Sequence, residues 1–493
     1  MKSIFSFHSQ LLFLTASLAI ILPTFLIAQP APHVLWSQAY GGMESDEANA
    51  VLQCIDGGYI IAGQSYSFGA QGDCYLVKTD GNGIVQWART YGGYNNDWAY
   101  SVAQTSDRGY IFAGNTSSFG AGQWDAYLVK IDSLGNRQWT RTFGGAEWDW
   151  TRCLKQTPDN GFILAGGTRS FGAGGYDCYL VKTDSLGNAQ WTRTYGGGDD
   201  DEANFILLTS DGGYALTGRT ASLGAGGTDM YFVKVDSIGN LQWARTYGGN
   251  GDEWALSACQ TADGGYAIAG YTQSFGAGQT DAYLVKTNSR GVVQWTRAYG
   301  GQDNDYVYSM QHTVDGGYIL AGNTWSFGAG QWDVFLVKTD STGRRIWTRT
   351  VGGANWDWAR SIQQTSDGGY IMAGGTRSYG NGYTDFYVVR LGTGLLATEN
   401  LVNNYPQQFA LNPPYPNPFN PNTTISFTTP TSAMVEISLC NILGQKIAII
   451  SHGMENPGLH AINWNANNYP AGIYFCRMTV GNYNHLEKLI LLK

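Results

Sequence analysis

Short runs of alternating polar and apolar residues follow one another along most of the chain, separated by turn-forming residues. In the stretch that follows Trp87, the runs are "DWAYSVAQT" (97–105), "GYIFAGNTS" (109–117), "DAYLVKID" (125–132) and "RQWTRTFG" (137–144). The segments between them are rich in Gly, Asp, Asn and Ser, which form tight turns. Aromatic and β-branched residues within the runs suit a pleated strand. The pattern therefore predicts four short antiparallel β-strands in this stretch.

The same four-strand pattern returns seven times. Its fourth run carries a tryptophan, and these tryptophans stand 51 or 52 residues apart, at positions 36, 87, 139, 191, 243, 295 and 347. Four antiparallel strands repeated at this period are typical of a β-propeller. The region begins with a fourth-strand copy, "VLWSQAYGG", and ends with a third-strand copy, "DFYVVRLGTG". We therefore predict an all-β, seven-bladed propeller over residues 33–394, closed by its N-terminal strand, because closure removes exposed sheet edges.

Residues that recur in every repeat are expected to have structural roles. The fourth-strand tryptophans are predicted to pack between blades. The arginines two residues after them are predicted to pair with repeated aspartates or to cover the indole rings. The repeated aspartates are expected to accept backbone N–H bonds in Gly-rich turns. A cation bound by these carboxylates is the alternative.

Tryptophans outside the repeat pattern gather in or beside the loops of one face of the predicted disc. That face carries the connections between second and third strands and those between blades, which vary in sequence. The candidate ligand-binding residues are Trp98, Trp124, Trp148, Trp150, Trp254, Trp332, Trp356 and Trp358. Exposed indole rings stack on sugar rings or anchor a protein partner. Packing of these rings against neighbouring loops, without a ligand, is the alternative.

The glutamates of the repeat region gather on the same face. A glycoside hydrolase needs two carboxylates across a cleft. Glu147, Glu202 and Glu253, each close to an aspartate, are the catalytic candidates, although the sequence singles out none of them. The repeats contain only two histidines, His33 and His312, and no G-x-S-x-G motif. This argues against nucleophilic catalysis with a histidine base.

Composition narrows the classes of partner. The net charge is −9 and no run of Lys and Arg occurs, which argues against nucleic acid as a partner. The seven cysteines form no C-x-x-C pair, and neither a metal site nor a cofactor is predicted.

Residues 1–28 carry one lysine, a long apolar stretch and a small residue, Ala28, at its end, as a cleaved signal peptide does. An uncleaved membrane anchor is the alternative.

The repeat stops after Gly394, and residues 395–412 are predicted to form a linker. Beyond it, short alternating runs predict a small Ig-like β-sandwich over residues 413–493. The motifs "PNPFNP" (416–421), "NILGQ" (441–445), "PAGIYF" (470–475) and the terminal "KLILLK" closely resemble the type A-like C-terminal sorting domain of the type IX secretion system of Bacteroidetes-like bacteria. This resemblance implies export and then outer-membrane passage, with the secretion machinery as a partner. Cys440 and Cys476 stand where that family commonly has Tyr, and a disulfide between them is a hypothesis.

The repeats, with "DGGYIIAG" and "SFGAG", are similar to a large set of secreted bacterial and archaeal repeat proteins, which implies a propeller but no particular function. We predict a secreted or cell-surface monomer whose Trp-, Asp- and Glu-rich face binds a glycan or a surface protein. The alternatives are a carbohydrate-active enzyme, an endoglucanase-like glycoside hydrolase using carboxylates on that face, and a purely structural surface protein.

Overall fold

A computed structural model describes residues 31–393 and 409–492, except 415, 431–432, 456–457 and 482. The predicted signal peptide and most of the predicted linker lie outside the described residues. The described residues divide into two compact units, one up to residue 395 and one from residue 396. The described part of the chain contains no helix long and apolar enough to cross a membrane.

The repeat region forms seven four-stranded antiparallel sheets, named here sheets one to seven. Sheet one contains β2 (Asp46–Gln53), β3 (Tyr59–Ser65), β4 (Asp73–Thr79) and β5 (Val85–Tyr91). Sheet two contains β6 (Asp97–Gln104), β7 (Tyr110–Thr116), β8 (Asp125–Ile131) and β9 (Arg137–Phe143). Sheet three contains β10 (Asp149–Gln156), β11 (Phe162–Thr168), β12 (Asp177–Thr183) and β13 (Ala189–Tyr195). Sheet four contains β14 (Asp201–Leu208), β15 (Tyr214–Thr220), β16 (Asp229–Val235) and β17 (Leu241–Tyr247).

The remaining sheets follow the same order, except that the last one takes a strand from the N-terminal end of the region. Sheet five contains β18 (Glu253–Gln260), β19 (Tyr266–Thr272), β20 (Asp281–Thr287) and β21 (Val293–Tyr299). Sheet six contains β22 (Asp305–His312), β23 (Tyr318–Thr324), β24 (Asp333–Thr339) and β25 (Arg345–Val351). Sheet seven contains β26 (Asp357–Gln364), β27 (Tyr370–Thr376), β28 (Asp385–Leu391) and β1 (Val34–Tyr40). β1 pairs antiparallel with β28, from Val34 opposite Leu391 to Tyr40 opposite Phe386.

The first strand of each sheet contacts the first strand of the next sheet, and β26 contacts β2 in turn. We call these seven first strands the inner strands. The third strand of each sheet is buried along its whole length, whereas the fourth strand is largely half-buried or exposed. The repeated antiparallel sheets fit a propeller-like fold, as the sequence predicted.

The fourth-strand tryptophans pack between consecutive sheets. Each ring meets an aromatic residue of the next sheet at a centroid distance of 5.8–6.3 Å, as Trp87 does with Tyr110 and Trp36 with Tyr59. Four of the repeated arginines lie over the tryptophan two residues before them, at 5.3–5.8 Å. Such pairs add specific aromatic and cation–π attraction to the burial of apolar surface.

A buried cation holds the turn between the first and second strands of every sheet. In sheet three, Lys182 Nζ lies 2.7 Å from Asp159 Oδ2 and donates to the Thr183 carbonyl at 2.8 Å. Six sheets use lysine, at 2.7–2.9 Å, and sheet seven uses Arg390 with Asp367. We call these seven ion pairs the frame bridges. The aspartates of the Gly-rich turns therefore pair with cations of the third strands, whereas the sequence suggested the fourth-strand arginines as partners of repeated aspartates.

The second unit packs two sheets over one core. One sheet contains β29 (Ala410–Leu411), β30 (Asn422–Thr429) and β33 (Gly458–Asn465). The other contains β31 (Ala433–Cys440), β32 (Lys446–Glu455), β34 (Gly472–Val480) and β35 (Tyr483–Leu491). Phe427 of the first sheet and Ile437 and Met478 of the second share this core.

The structure contradicts the disulfide hypothesis for Cys440 and Cys476, because both thiols are free. Cys476 lies opposite Leu439 and Cys440 lies opposite Phe475. Since successive strand residues point to opposite faces of a sheet, the two thiols project from opposite faces. Burial, with a contribution from Cys440, raises the pKa of the Cys476 thiol to about 12.

Candidate binding site

Each inner strand begins with a buried acidic residue that holds the preceding turn. In sheet three, Asp149 Oδ2 accepts hydrogen bonds from the Gly145 N–H at 2.7 Å and from Ser170 Oγ at 2.6 Å. Glu253 takes the same place in sheet five and accepts the Gly249 N–H at 2.7 Å. The acidic residue therefore fixes the start of each inner strand, and residues counted from it occupy equivalent positions in the seven sheets.

The inner strands surround one cavity of about 780 Å³, which we call the channel. The third residue after the acidic one lines it in every sheet: Asn49, Tyr100, Arg152, Asn204, Leu256, Tyr308 and Arg360. Glu47 and Trp254, which directly follow the acidic residue in sheets one and five, also line it. A concave site with a few convergent polar groups is the usual form of a binding pocket. The residue type at this channel-lining position differs among the seven repeats.

The channel holds arginines stacked on tyrosines. The guanidinium carbon of Arg152 lies 4.2 Å from the centroid of the Tyr100 ring, and that of Arg360 lies 4.3 Å from the Tyr308 ring. Arg360 Nη2 is also 3.5 Å from Glu47 Oε1. The pKa of Arg360 is raised, because Tyr308 and Glu47 outweigh the opposing effect of burial.

Arg152 forms no ion pair with any carboxylate of the described residues. Lys155, three residues further along β10, also has no acidic partner among them, and its Nζ lies 5.0 Å from the Phe205 ring. Both side chains line the channel. The β10 side of the channel therefore carries positive charge that the described part of the protein leaves unneutralised.

The extra tryptophans form contiguous aromatic groups. Trp98 lies 4.7 Å from Trp124, which lies 6.4 Å from Trp148. Trp332 lies 5.2 Å from Trp325 and 5.4 Å from Tyr306. Trp148 and Trp356 are among the exposed large hydrophobic residues, at 40% and 38% exposure. Exposed aromatic surface of this kind marks interaction sites more often than isolated exposed side chains do.

Three of the candidate tryptophans have specific side-chain partners. Trp150 packs edge-on against Tyr176 at 4.5 Å, and Trp356 lies under the guanidinium of Arg377 at 4.8 Å. Trp358 donates a hydrogen bond from Nε1 to Glu47 Oε1 at 2.9 Å. Of the eight candidate tryptophans, Trp254 is the one that lines the channel. The structure thus does not bring the eight candidate tryptophans into one cleft.

The three candidate catalytic glutamates lie in different environments. The side chain of Glu147 is exposed, whereas Glu202 is paired with Arg219. Glu253 is fully buried and held by its turn, which counts against a role in catalysis. Among the described residues, no group of three or more His, Cys, Asp or Glu side chains is placed to hold a metal ion.

Sequence inspection missed the channel-lining position. Its members range from leucine to arginine, so they did not stand out as a motif. The available signal was a variable position at a fixed distance after an acidic residue that recurs in every repeat. Arg152, Lys155 and Arg360 were therefore absent from the candidate residues.

The chain thus combines a propeller-like unit that carries a candidate binding channel with a small two-sheet unit at its C-terminal side. Residues 414–492 match the family model described as a secretion system C-terminal sorting domain. This confirms the identification of the C-terminal unit and indicates export to the cell surface or the extracellular space.

Comparison with curated proteins finds a likeness to the regulatory protein FlaEY of Caulobacter vibrioides. The identity is 26% over 185 residues, which cover 32% of this chain and 19% of the relative. The chain therefore spans less than a fifth of that protein's length.

Solved structures give distant matches. They include a fungal alcohol oxidase of the AA5 family in complex with copper, with 11% identity, TM-score 0.44 and coverage of 94% of this chain and 100% of that one. They also include an endo-1,5-alpha-L-arabinanase from Thermotoga petrophila, with 12% identity, TM-score 0.30 and coverage of 74% and 100%. A subtype N10 neuraminidase-like protein of A/little yellow-shouldered bat matches with 7% identity, TM-score 0.33 and coverage of 73% and 100%. None of these TM-scores reaches 0.5.

Proposed function

We propose that residues 33–394 form a closed seven-bladed β-propeller that is exported and binds a glycan at the end of the channel where the extra tryptophans gather. The observation that carries the proposal is that Trp254 lines the channel beside amide, phenol and guanidinium groups. An aromatic ring offers a flat apolar surface for a sugar ring, while the polar groups bond to its hydroxyls. The sorting domain supports encounter with such a ligand outside the cell.

The acidic residues favour binding over hydrolysis. Glycoside hydrolysis requires two carboxyl groups that face one cleft. Glu47 is the single acidic residue among the described residues that line the channel, and its carboxylate is engaged by Trp358, Gln64 and Arg360. A glycan-binding module is therefore the better-supported function, and hydrolysis is the alternative.

The test is a glycan array probed with the full chain, followed by titration of the best oligosaccharide. Trp254→Ala is expected to weaken binding about tenfold, since aromatic anchors dominate such contacts. Trp325→Ala is the matched control, because Trp325 is half-exposed and stacks on Trp332 without lining the channel.

An array without any bound glycan would remove the glycan proposal and favour a structural surface protein. Equal losses of glycan affinity in the two tryptophan variants would show that the binding site lies outside the channel. Release of reducing sugar by the wild type, lost in Glu47→Gln, would favour the enzyme.

A further inference from the structure

The channel is positively charged within a protein of net charge −9. Its described lining contains three long cationic side chains, Arg152, Lys155 and Arg360, against a single carboxylate, that of Glu47. Because Glu47 pairs with Arg360, Arg152 and Lys155 are left without an acidic partner among the described residues. We propose that Arg152, stacked on Tyr100, together with Lys155 forms a subsite for the carboxylate of an acidic sugar. This inference rests on the proposed glycan-binding function and names the ligand class.

A difference between two sheets explains why Arg152 is unpaired. Arg360 of β26 is followed around the ring by β2, whose second residue is Glu47; Arg152 of β10 is followed by β14, whose second residue is Glu202. Both arginines therefore have a glutamate at the equivalent neighbouring position. The two glutamates, however, face different partners across their own sheets.

The residue opposite each glutamate determines the cation with which that glutamate pairs. Glu47 lies opposite Gln64, a neutral residue whose Nε2 donates to Glu47 Oε2 at 3.1 Å. Glu202 lies opposite Arg219, which takes its carboxylate in an ion pair. Because Glu202 pairs with Arg219, it is not available to Arg152, whereas Glu47 pairs with Arg360. The unpaired state of Arg152 follows from this one exchange of glutamine for arginine.

The geometry of Arg152 suits a carboxylate ligand. A guanidinium is planar and binds carboxylates through two parallel N–H···O bonds. Stacking on Tyr100 at 4.2 Å restrains that plane, which lowers the entropy lost on binding. Lys155 stands three residues further along β10, about 10 Å away at the rise of a strand. Because both side chains line the channel, Lys155 attracts the anionic sugar electrostatically while Arg152 binds its carboxylate.

The experiment titrates the full chain with three probes, a galacturonic acid trimer, a galactose trimer and inorganic sulfate. The wild type is expected to bind the acidic trimer about tenfold more tightly than the neutral one, as charge-assisted hydrogen bonds imply. Arg152→Gln is expected to bring the ratio of acidic-trimer to neutral-trimer affinity close to one, because glutamine still offers hydrogen bonds to hydroxyls but carries no charge. Arg169→Gln is the matched control, because Arg169 also stacks on a tyrosine, Tyr176, at 4.8 Å but does not line the channel.

The outcomes separate this inference from the proposed function. Equal affinity for both trimers, or a preference that survives Arg152→Gln, overturns the acidic-sugar subsite while glycan binding stands. Sulfate binding that is lost in Arg152→Gln, without affinity for either trimer, overturns the proposed function and limits the subsite to a small anion. Absence of binding by all three probes overturns both. Matching circular dichroism spectra and melting temperatures show that each variant is folded.

Discussion

The frame bridges and the channel use the same chemistry, a cation facing a carboxylate, for different ends. In the frame bridges, six lysines and Arg390 have side chains that are 2–7% exposed, and each is paired with a half-exposed aspartate. In the channel, Arg152 and Lys155 have no carboxylate partner among the described residues. The pair that recurs in all seven sheets stabilises the fold, whereas the charges that occur once are available to a ligand. Repetition, rather than residue type, distinguishes the two roles.

The largest expected effect comes from breaking a frame bridge. Asp159→Ala leaves Lys182 buried without its carboxylate, although bonds to the Thr183 carbonyl and Gln190 remain. Removing one partner of a buried pair is strongly destabilising, and the half-exposed carboxylate places this case near the low end, at about 2–3 kcal/mol. The measurement is the urea midpoint followed by tryptophan fluorescence, since 16 of the 17 tryptophans precede residue 394.

Two controls sharpen this result. Adding Lys182→Met to Asp159→Ala is expected to restore most of the lost stability, because the uncompensated buried charge is gone. Trimer affinities are expected to stay unchanged, because neither residue lines the channel. If Asp159→Ala lowered the affinity for the acidic trimer as much as Arg152→Gln does, the frame bridges would also contribute to ligand binding, and the two sets of charges would not have separate roles.

The lowered pKa values of the frame-bridge aspartates predict that the protein loses stability in acid. Burial alone would raise the pKa of Asp159, but hydrogen bonds from Lys182 and Thr157 lower it to about 2, and Asp107, Asp211 and Asp263 reach the same value. In an unfolded chain the value is about 3.9. A depressed folded-state pKa means that the contribution is present above pH 4 and lost as the pH falls towards 2.

Buried aspartates at the start of the third strands titrate in the opposite sense. Burial raises the pKa of Asp125, and the nearby Asp149 raises it further. The same direction holds for Asp73, Asp177, Asp229, Asp281 and Asp385. A raised folded-state pKa favours folding in acid, and this contribution is lost as the pH rises through that pKa. Urea midpoints between pH 2 and 7 are therefore expected to peak on the acid side of neutrality, above pH 4, and a flat profile would contradict both assignments.

Much of the repeat region could be predicted from its sequence. The strands of sheet two, predicted from 97 to 144, agree with β6 to β9 within one residue at each end. This precision arises because turn residues and alternating apolar residues recur at a constant spacing, so that seven copies support one assignment. The number of sheets in the repeat region and the pairing of β1 with β28 follow from the same periodicity.

The candidate site was less predictable because it depends on pairing across strands. The sequence indicated that tryptophans gather on one face, but not that Trp254 alone among the candidates lines the channel. Glu202 and Glu253 each follow an aspartate in the sequence, but Glu253 is the first residue of its inner strand and is fully buried, whereas Glu202 is the second residue of its strand and pairs with Arg219. The partner of Glu202 depends on strand register, which places Arg219, 17 residues later, opposite it.

A single substitution is expected to give the β10 side of the channel the pairing that Arg360 of β26 has with Glu47. Arg219→Gln removes the partner of Glu202, which is then expected to turn to Arg152 as Glu47 does to Arg360. The preference for the acidic trimer is expected to fall about fivefold, less than in Arg152→Gln, because the guanidinium is still present. The ratio of acidic to neutral affinity is the proper measurement, since Arg219 also lies 4.2 Å from the Trp254 ring and its loss alters packing for both sugars. An unchanged ratio would show that Glu202 does not control Arg152.

The reciprocal change carries the smallest expected effect. Gln64→Arg places a cation opposite Glu47, as Arg219 lies opposite Glu202, and is expected to draw the carboxylate away from Arg360. A freed Arg360, stacked on Tyr308 at 4.3 Å, then resembles Arg152 on Tyr100. The affinity for the acidic trimer is expected to rise about threefold and to become more sensitive to salt, because a second unneutralised charge faces the channel. Isothermal titration at two salt concentrations measures both changes. A decrease in affinity would mean that Glu47 contributes to ligand binding itself, and that pairing across the sheet does not decide which arginine is available.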